Sequence, residues 1–119
     1  MGKAQRDKGA RGEREFVNAC KAAGFAAERQ APMQTSNGTA HPDVLLEVGG
    51  LAFAVECKTG RSIRWFAAVD QALASTAHGQ IPAVRVHRTM SKGEPPRKLV
   101  VLLEADFLDL CRYAAQVTA

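Results

Sequence analysis

The sequence predicts an α/β fold in which a mixed central sheet is flanked by helices. Three observations predict it. Apolar residues between Lys8 and Ala23 recur at helical spacing, two strand-like runs between Asp43 and Cys57 flank a Gly-Gly pair, and helical and strand periods alternate from there onward. Read in order, the elements run α-β-β-β-α-β-β-α. The length of 119 residues fits a single domain, 1–119.

In the first helix, Ala10, Phe16, Val17, Ala19, Cys20 and Ala23 mark the apolar side, and Gly24 is placed to end it. Phe25 opens a short strand reaching about Gln30. Residues 31–41 hold Pro, Ser, Asn, Gly and Thr without periodicity and read as a loop. Residues 43–48 and 51–57 are strands, joined by the two-residue hairpin signal Gly49-Gly50. Residues 63–76 read as a helix with Trp65, Phe66, Val69, Ala72, Leu73 and Thr76 on one side. Residues 82–87 alternate as a strand, with Val84 and Val86 facing one way and Arg85 and His87 the other. After a polar turn, residues 98–103 form a further strand. Residues 106–116 form a last helix expected to bury Phe107, Leu110, Cys111 and Ala114.

At 46% hydrophobic and 24% charged residues the composition is that of an ordinary globular protein. There is no apolar run of about 18 residues, so no membrane span is expected. The opening segment is polar and charged, unlike a signal peptide, and a cytoplasmic location is the expectation. Cys20, Cys57 and Cys111 show neither a CxxC pair nor zinc-ligand spacing, and read as buried reduced thiols. The net charge of +4 is unevenly placed. Lys3, Arg6, Lys8, Arg11 and Arg14 crowd the start, Arg61 and Arg64 follow the third strand, and Arg85, Arg88, Lys92, Arg97 and Lys98 crowd the later part. A phosphate backbone is a common partner for such clusters, and a solvated face is the other reading.

The hairpin supports a geometric argument. With Gly49 and Gly50 as the turn, Val48 pairs with Leu51, and counting back along both strands sets Asp43 opposite Glu56. Their Cβ atoms would lie about 5 Å apart on one face. Lys58, two residues beyond Glu56, shares that face. Facing like charges are destabilising, and the flanking positions Val44, Leu45, Phe53 and Val55 are apolar. A divalent cation would relieve the repulsion, and a carboxylate pair with open positions suits Mg²⁺ or Mn²⁺. The Lys58 ammonium could orient or deprotonate an attacking water and stabilise developing phosphate charge. A plain surface ion network at a strand end is the alternative that the spacing leaves open.

Pro42-Asp43 followed by Glu56-Cys57-Lys58 has the PD…ExK pattern, and the segment resembles the PD-(D/E)xK nuclease superfamily. Lys8-Gly-Ala-Arg-Gly-Glu-Arg-Glu-Phe16, with Ala22-Ala-Gly-Phe25 after it, resembles the opening helix of archaeal- and phage-type Holliday junction resolvases. The resemblance covers residues 8 to about 87 well. It implies a restriction-endonuclease-like core and a Mg²⁺-dependent (or Mn²⁺-dependent) endodeoxyribonuclease that resolves branched DNA by paired nicks as a homodimer. On this match Asp43, Glu56 and the carbonyl of Cys57 ligate the metal, Glu13 adds a further acid, with Glu15 the second choice, and Lys58 handles the water. Lys8, Arg11, Arg29, Arg61, Arg64 and Ser36 are the expected DNA contacts, although the loop bearing Ser36 is longer and more polar than the resemblance leads one to expect. A nuclease that nicks or trims DNA without junction preference is one rival reading. A non-catalytic DNA-binding module on a degenerate nuclease fold is another.

Overall fold

The computed structural model describes residues 2–30 and 41–118. Its elements are α1 (Lys3–Ala22), β1 (Ala26–Arg29), β2 (Val44–Val48), β3 (Leu51–Gly60), α2 (Trp65–Ser75), β4 (Gln80–Arg88), β5 (Arg97–Leu102) and α3 (Glu104–Thr118). This is the expected order. The five strands lie side by side in sequence order; β3 and β4 run parallel and every other pair is antiparallel. The parallel step needs a crossover, and α2 supplies it. The mixed sheet flanked by helices therefore stands as read.

Local chemistry explains the boundaries. At the end of α1, Gly24 takes a φ of 96°, while Gly24 N–H donates to the Lys21 carbonyl and Phe25 N–H to that of Cys20. That pattern satisfies two of the helix's last carbonyls and needs a residue tolerant of left-handed backbone. At the hairpin, Val48 pairs with Leu51 and Val44 with Val55, the register read from Gly49-Gly50. Asp43 itself stands one residue before β2 rather than in it.

Two apolar layers cover the sheet. Val17 of α1 packs with Val44, Val55 and Ala83 on one face, and Ala68 and Ala72 of α2 pack with Val84 and Val86 on the other. Successive residues Ala83 and Val84 of β4 point into opposite layers, as strand alternation requires. The centres of β3 and β4 are buried on both faces, which explains their nearly unbroken apolar runs.

Three packing expectations are corrected. First, α2 turns Ala68, Ala72 and Ser75 inward, while Trp65, Phe66 and Leu73 are exposed. Both sides of this helix are apolar, so periodicity alone does not choose between them. Small residues won because they let the helix approach closely. Second, Phe107, Cys111 and Ala114 of α3 are exposed and Leu110 only half-buried. The helix starts just past the end of β5 and lies against no broad surface; its Tyr113 hydroxyl comes within 3.8 Å of the Cβ position of Gly49. Third, of the cysteines Cys20 is buried, Cys57 half-buried and Cys111 exposed.

Candidate active site

The site forms at one end of the sheet, where β2 begins and the second half of β3 runs out toward Gly60. Pro42 is buried and anchors the chain just before Asp43. The Cys57 N–H donates to Asp43 Oδ2 at 2.8 Å, which fixes this carboxylate against β3. Continued one residue past the Val44–Val55 pair, the hairpin register brings Asp43 to Glu56, and the charge of Asp43 acts on that carboxyl. Glu56 points into the α2 side of the sheet, beside Val84 of β4. It is only 8% exposed, and its Oε1 accepts a hydrogen bond from Ser75 Oγ at 3.1 Å.

Burial first, and the charge of Asp43 second, push the Glu56 carboxyl up to about 7, against the opposing pull of Ser75 and Lys58. Glu13, on α1, is raised for the same two reasons, although Arg29 Nε donates to its Oε1 at 2.9 Å. The charge of Asp43 thus acts on both Glu56 and Glu13. Glu15, two residues along the helix, belongs to a different neighbourhood. Its Oε1 accepts from Arg85 Nη2 and pairs with His87 Nδ1 at 2.9 Å, and these contacts hold its carboxyl down to about 2.

Lys58 shares the Glu56 face and lines a cleft of about 260 Å³ whose wall mixes Thr59, Ser62, Arg64 and Gln71 with Ile63 and Ala68. Cys57 faces the other way, packed against the α1-side core, and burial raises its thiol well above the usual range. A hard cation prefers oxygen to sulfur, so of the Cys57 atoms the backbone carbonyl rather than the thiol suits one.

The donor set fits a divalent cation. Asp43 and Glu56 offer hard oxygens in a partly buried place, and a cation relieves their mutual repulsion once Glu56 has lost its proton. Among the described residues no three His, Cys, Asp or Glu side chains form a ready-made cluster. The remaining ligands would come from backbone, water and substrate phosphate, as magnesium commonly takes them.

Lys8, Arg11, Arg61 and Arg64 are all exposed. Arg11 adjoins Gly12, which lies against Thr59 of β3, so both basic clusters flank the same end of the sheet. Arg29 is half-buried and committed to Glu13 rather than to solvent. Ser36 lies outside the described residues. Sequence reasoning passed over Ser75, because nothing in the pattern of α2 distinguishes a serine that caps a carboxylate from a solvated one. It also counted Arg85 among the surface cations; Arg85 is only 4% exposed. The alternation of β4 had already set Arg85 and His87 on the face away from Val84 and Val86, and that was the available signal.

A family model described as archaeal Holliday junction resolvase (Hjc) matches residues 4–75, from α1 through the end of α2. The chain belongs to this family. Its fold is also that of a solved structure, the Hjc Holliday junction resolvase of the archaeal hyperthermophile Archaeoglobus fulgidus. The two share 22% identity over 76% of this chain and 87% of that one, with a TM-score of 0.54. No curated protein matches the sequence. As a member of the resolvase family, the protein is a metal-dependent endonuclease acting on branched DNA. No described helix is long and apolar enough to cross a membrane.

Proposed function

We propose that this single domain resolves four-way DNA junctions by paired nicks in the cytoplasm, using Mg²⁺, with Asp43, Glu56, Lys58 and Glu13 as its working residues. The observation that carries the reading is the convergence of Asp43 and Glu56 on one face beside Lys58. Asp43, Glu56 and the Cys57 carbonyl would hold the ion. When bound, it supplies a Lewis acid for the phosphoryl oxygen and a more acidic water. Lys58 would orient the attacking water as an ammonium and meet the charge that grows on the phosphate, or, as the free amine, take the proton of that water. Ser75 holds one Glu56 oxygen, so the other is presented to the ion in a fixed direction. Glu13, kept in place by Arg29, adds negative potential at the edge of the site. Lys8, Arg11, Arg61 and Arg64 grip the backbone on either side, with Ser36 a further contact.

A junction has two strands to cut symmetrically, and a two-fold dimer brings two sites to them. The exposed Trp65 and Phe66, the latter 88% exposed, with the neighbouring Val69 form an apolar surface suited to a second copy. The decisive experiment compares a labelled four-way junction with a duplex and a single strand of the same sequence, with and without Mg²⁺. Cutting of the junction alone, dependent on Mg²⁺, is expected. Equal cutting of the duplex would replace the resolvase with a nuclease lacking junction preference, and sedimentation as a monomer at micromolar concentration would remove the dimer.

A further inference from the structure

Arg85 is a buried cation that the chemistry above does not use. It lies in β4 directly beside Cys57 of β3, beyond the residues matched by the family model. Its guanidinium spreads under α1. Nη1 donates to the Gly12 carbonyl at 3.2 Å, Nη2 to Glu15 Oε1 at 2.5 Å, and the group stands 5.6 Å from the centre of the Phe16 ring. One side chain therefore holds three points on a single turn of the helix. That turn also carries Glu13.

The contact is built for position. Burying a guanidinium is costly, and an apolar side chain of similar volume would fill the space at least as well. What the planar fork adds is two directed hydrogen bonds from one rigid group. The Gly12 contact fixes how far α1 sits along its axis, and the Glu15 contact fixes its rotation. Gly12 makes this seat possible, because a Cβ there would come within 2.7 Å of Thr59 Oγ1. Glu13 and Glu15 are roughly 200° apart around the helix, so drawing Glu15 toward β4 turns Glu13 toward Arg29 and Asp43. His87 and Lys98 add to the pull on Glu15, with Lys98 Nζ 3.7 Å from Oε2.

We infer that Arg85 is a positioning residue, which locks the register and rotation of α1 on the sheet so that Glu13 faces the metal site. The inference rests on the nuclease reading, and its test is chosen to separate the two.

Mg²⁺ binding to the DNA-free protein, measured by calorimetry, supplies the readout. Arg85→Met keeps the volume and loses both hydrogen bonds. Its Mg²⁺ affinity should fall by about tenfold, the lower end of what outer groups around a metal contribute. Glu13→Gln should show a similar loss, and the double variant should lose no more than Glu13→Gln alone. Arg85→Lys keeps the charge without the fork; it should lose affinity as Arg85→Met does, and it carries the test if the methionine variant does not fold. Affinity within twofold of wild type in the folded variants, or losses that multiply in the double variant, would overturn the inference, since a role confined to packing would shift melting and leave this coupling absent. Asp43→Ala is the control. If it binds Mg²⁺ as wild type does, the ion sits elsewhere, and the site reading falls together with the inference.

Discussion

Replacing Glu56 with Gln in the metal-free protein should raise its stability at pH 8, by an amount the structure bounds. The carboxyl titrates near 7 in the folded chain against an ordinary 4.5. A group whose folded value is raised holds its proton more tightly when folded. Its contribution is therefore fully present below about pH 4.5 and is lost as pH rises through 7. At about 1.4 kcal/mol per pH unit, ionising Glu56 in place costs roughly 3 kcal/mol at pH 8. That is a ceiling, because the site can relax around the new charge. The group is 8% exposed, so solvent screening removes little of it. Glutamine has nearly the same shape and can still accept from Ser75 Oγ, yet it carries no charge. Melting followed by circular dichroism in the presence of a chelator should then show the variant above wild type by up to about 10 °C at pH 8. The two should converge near pH 4.5. Saturating Mg²⁺ should raise the melting temperature of wild type and leave the variant unmoved. A variant that melts at or below wild type at pH 8, or a gap that does not close in acid, would refute the argument that two facing carboxylates are held there at a cost.

Other expectations follow from the same geometry. Lys58→Ala should lower the cleavage rate by orders of magnitude while calorimetric Mg²⁺ affinity stays near wild type, because an ammonium is not a ligand; joint loss of both would make Lys58 a structural residue. Gly12→Ala should destabilise by about 1–3 kcal/mol, since the new methyl meets Thr59 Oγ1 at 2.7 Å, and Thr59→Ala should restore most of the loss in a melting comparison. DNA affinity should fall steeply with salt, with a log–log slope of roughly −4 or steeper, if Lys8, Arg11, Arg61 and Arg64 meet phosphates. A flat affinity between about 50 and 200 mM would remove those contacts.

What the sequence determined by itself is what short-range chemistry governs. A two-residue glycine turn admits one register for its strands, so the pairing of Val44 with Val55, and hence Asp43 across from Glu56, follows from counting. Strand alternation likewise set Lys58 with Glu56, and Arg85 away from Val84. Gly24 ended α1 where a left-handed residue was needed. The tertiary structure decided everything that depends on which of two usable faces meets a distant partner. In α2, apolar residues on both sides left the orientation open until the sheet took the alanines and left Trp65 and Phe66 outside. In α3, an apolar pattern marks a face without guaranteeing anything to cover it. On α1, the tertiary structure gave Glu13 and Glu15 different partners, Arg29 for the one and Arg85, 70 residues beyond Glu15 in sequence, for the other. A contact across that separation has no periodicity to betray it, because it exists only once helix and sheet have been brought together.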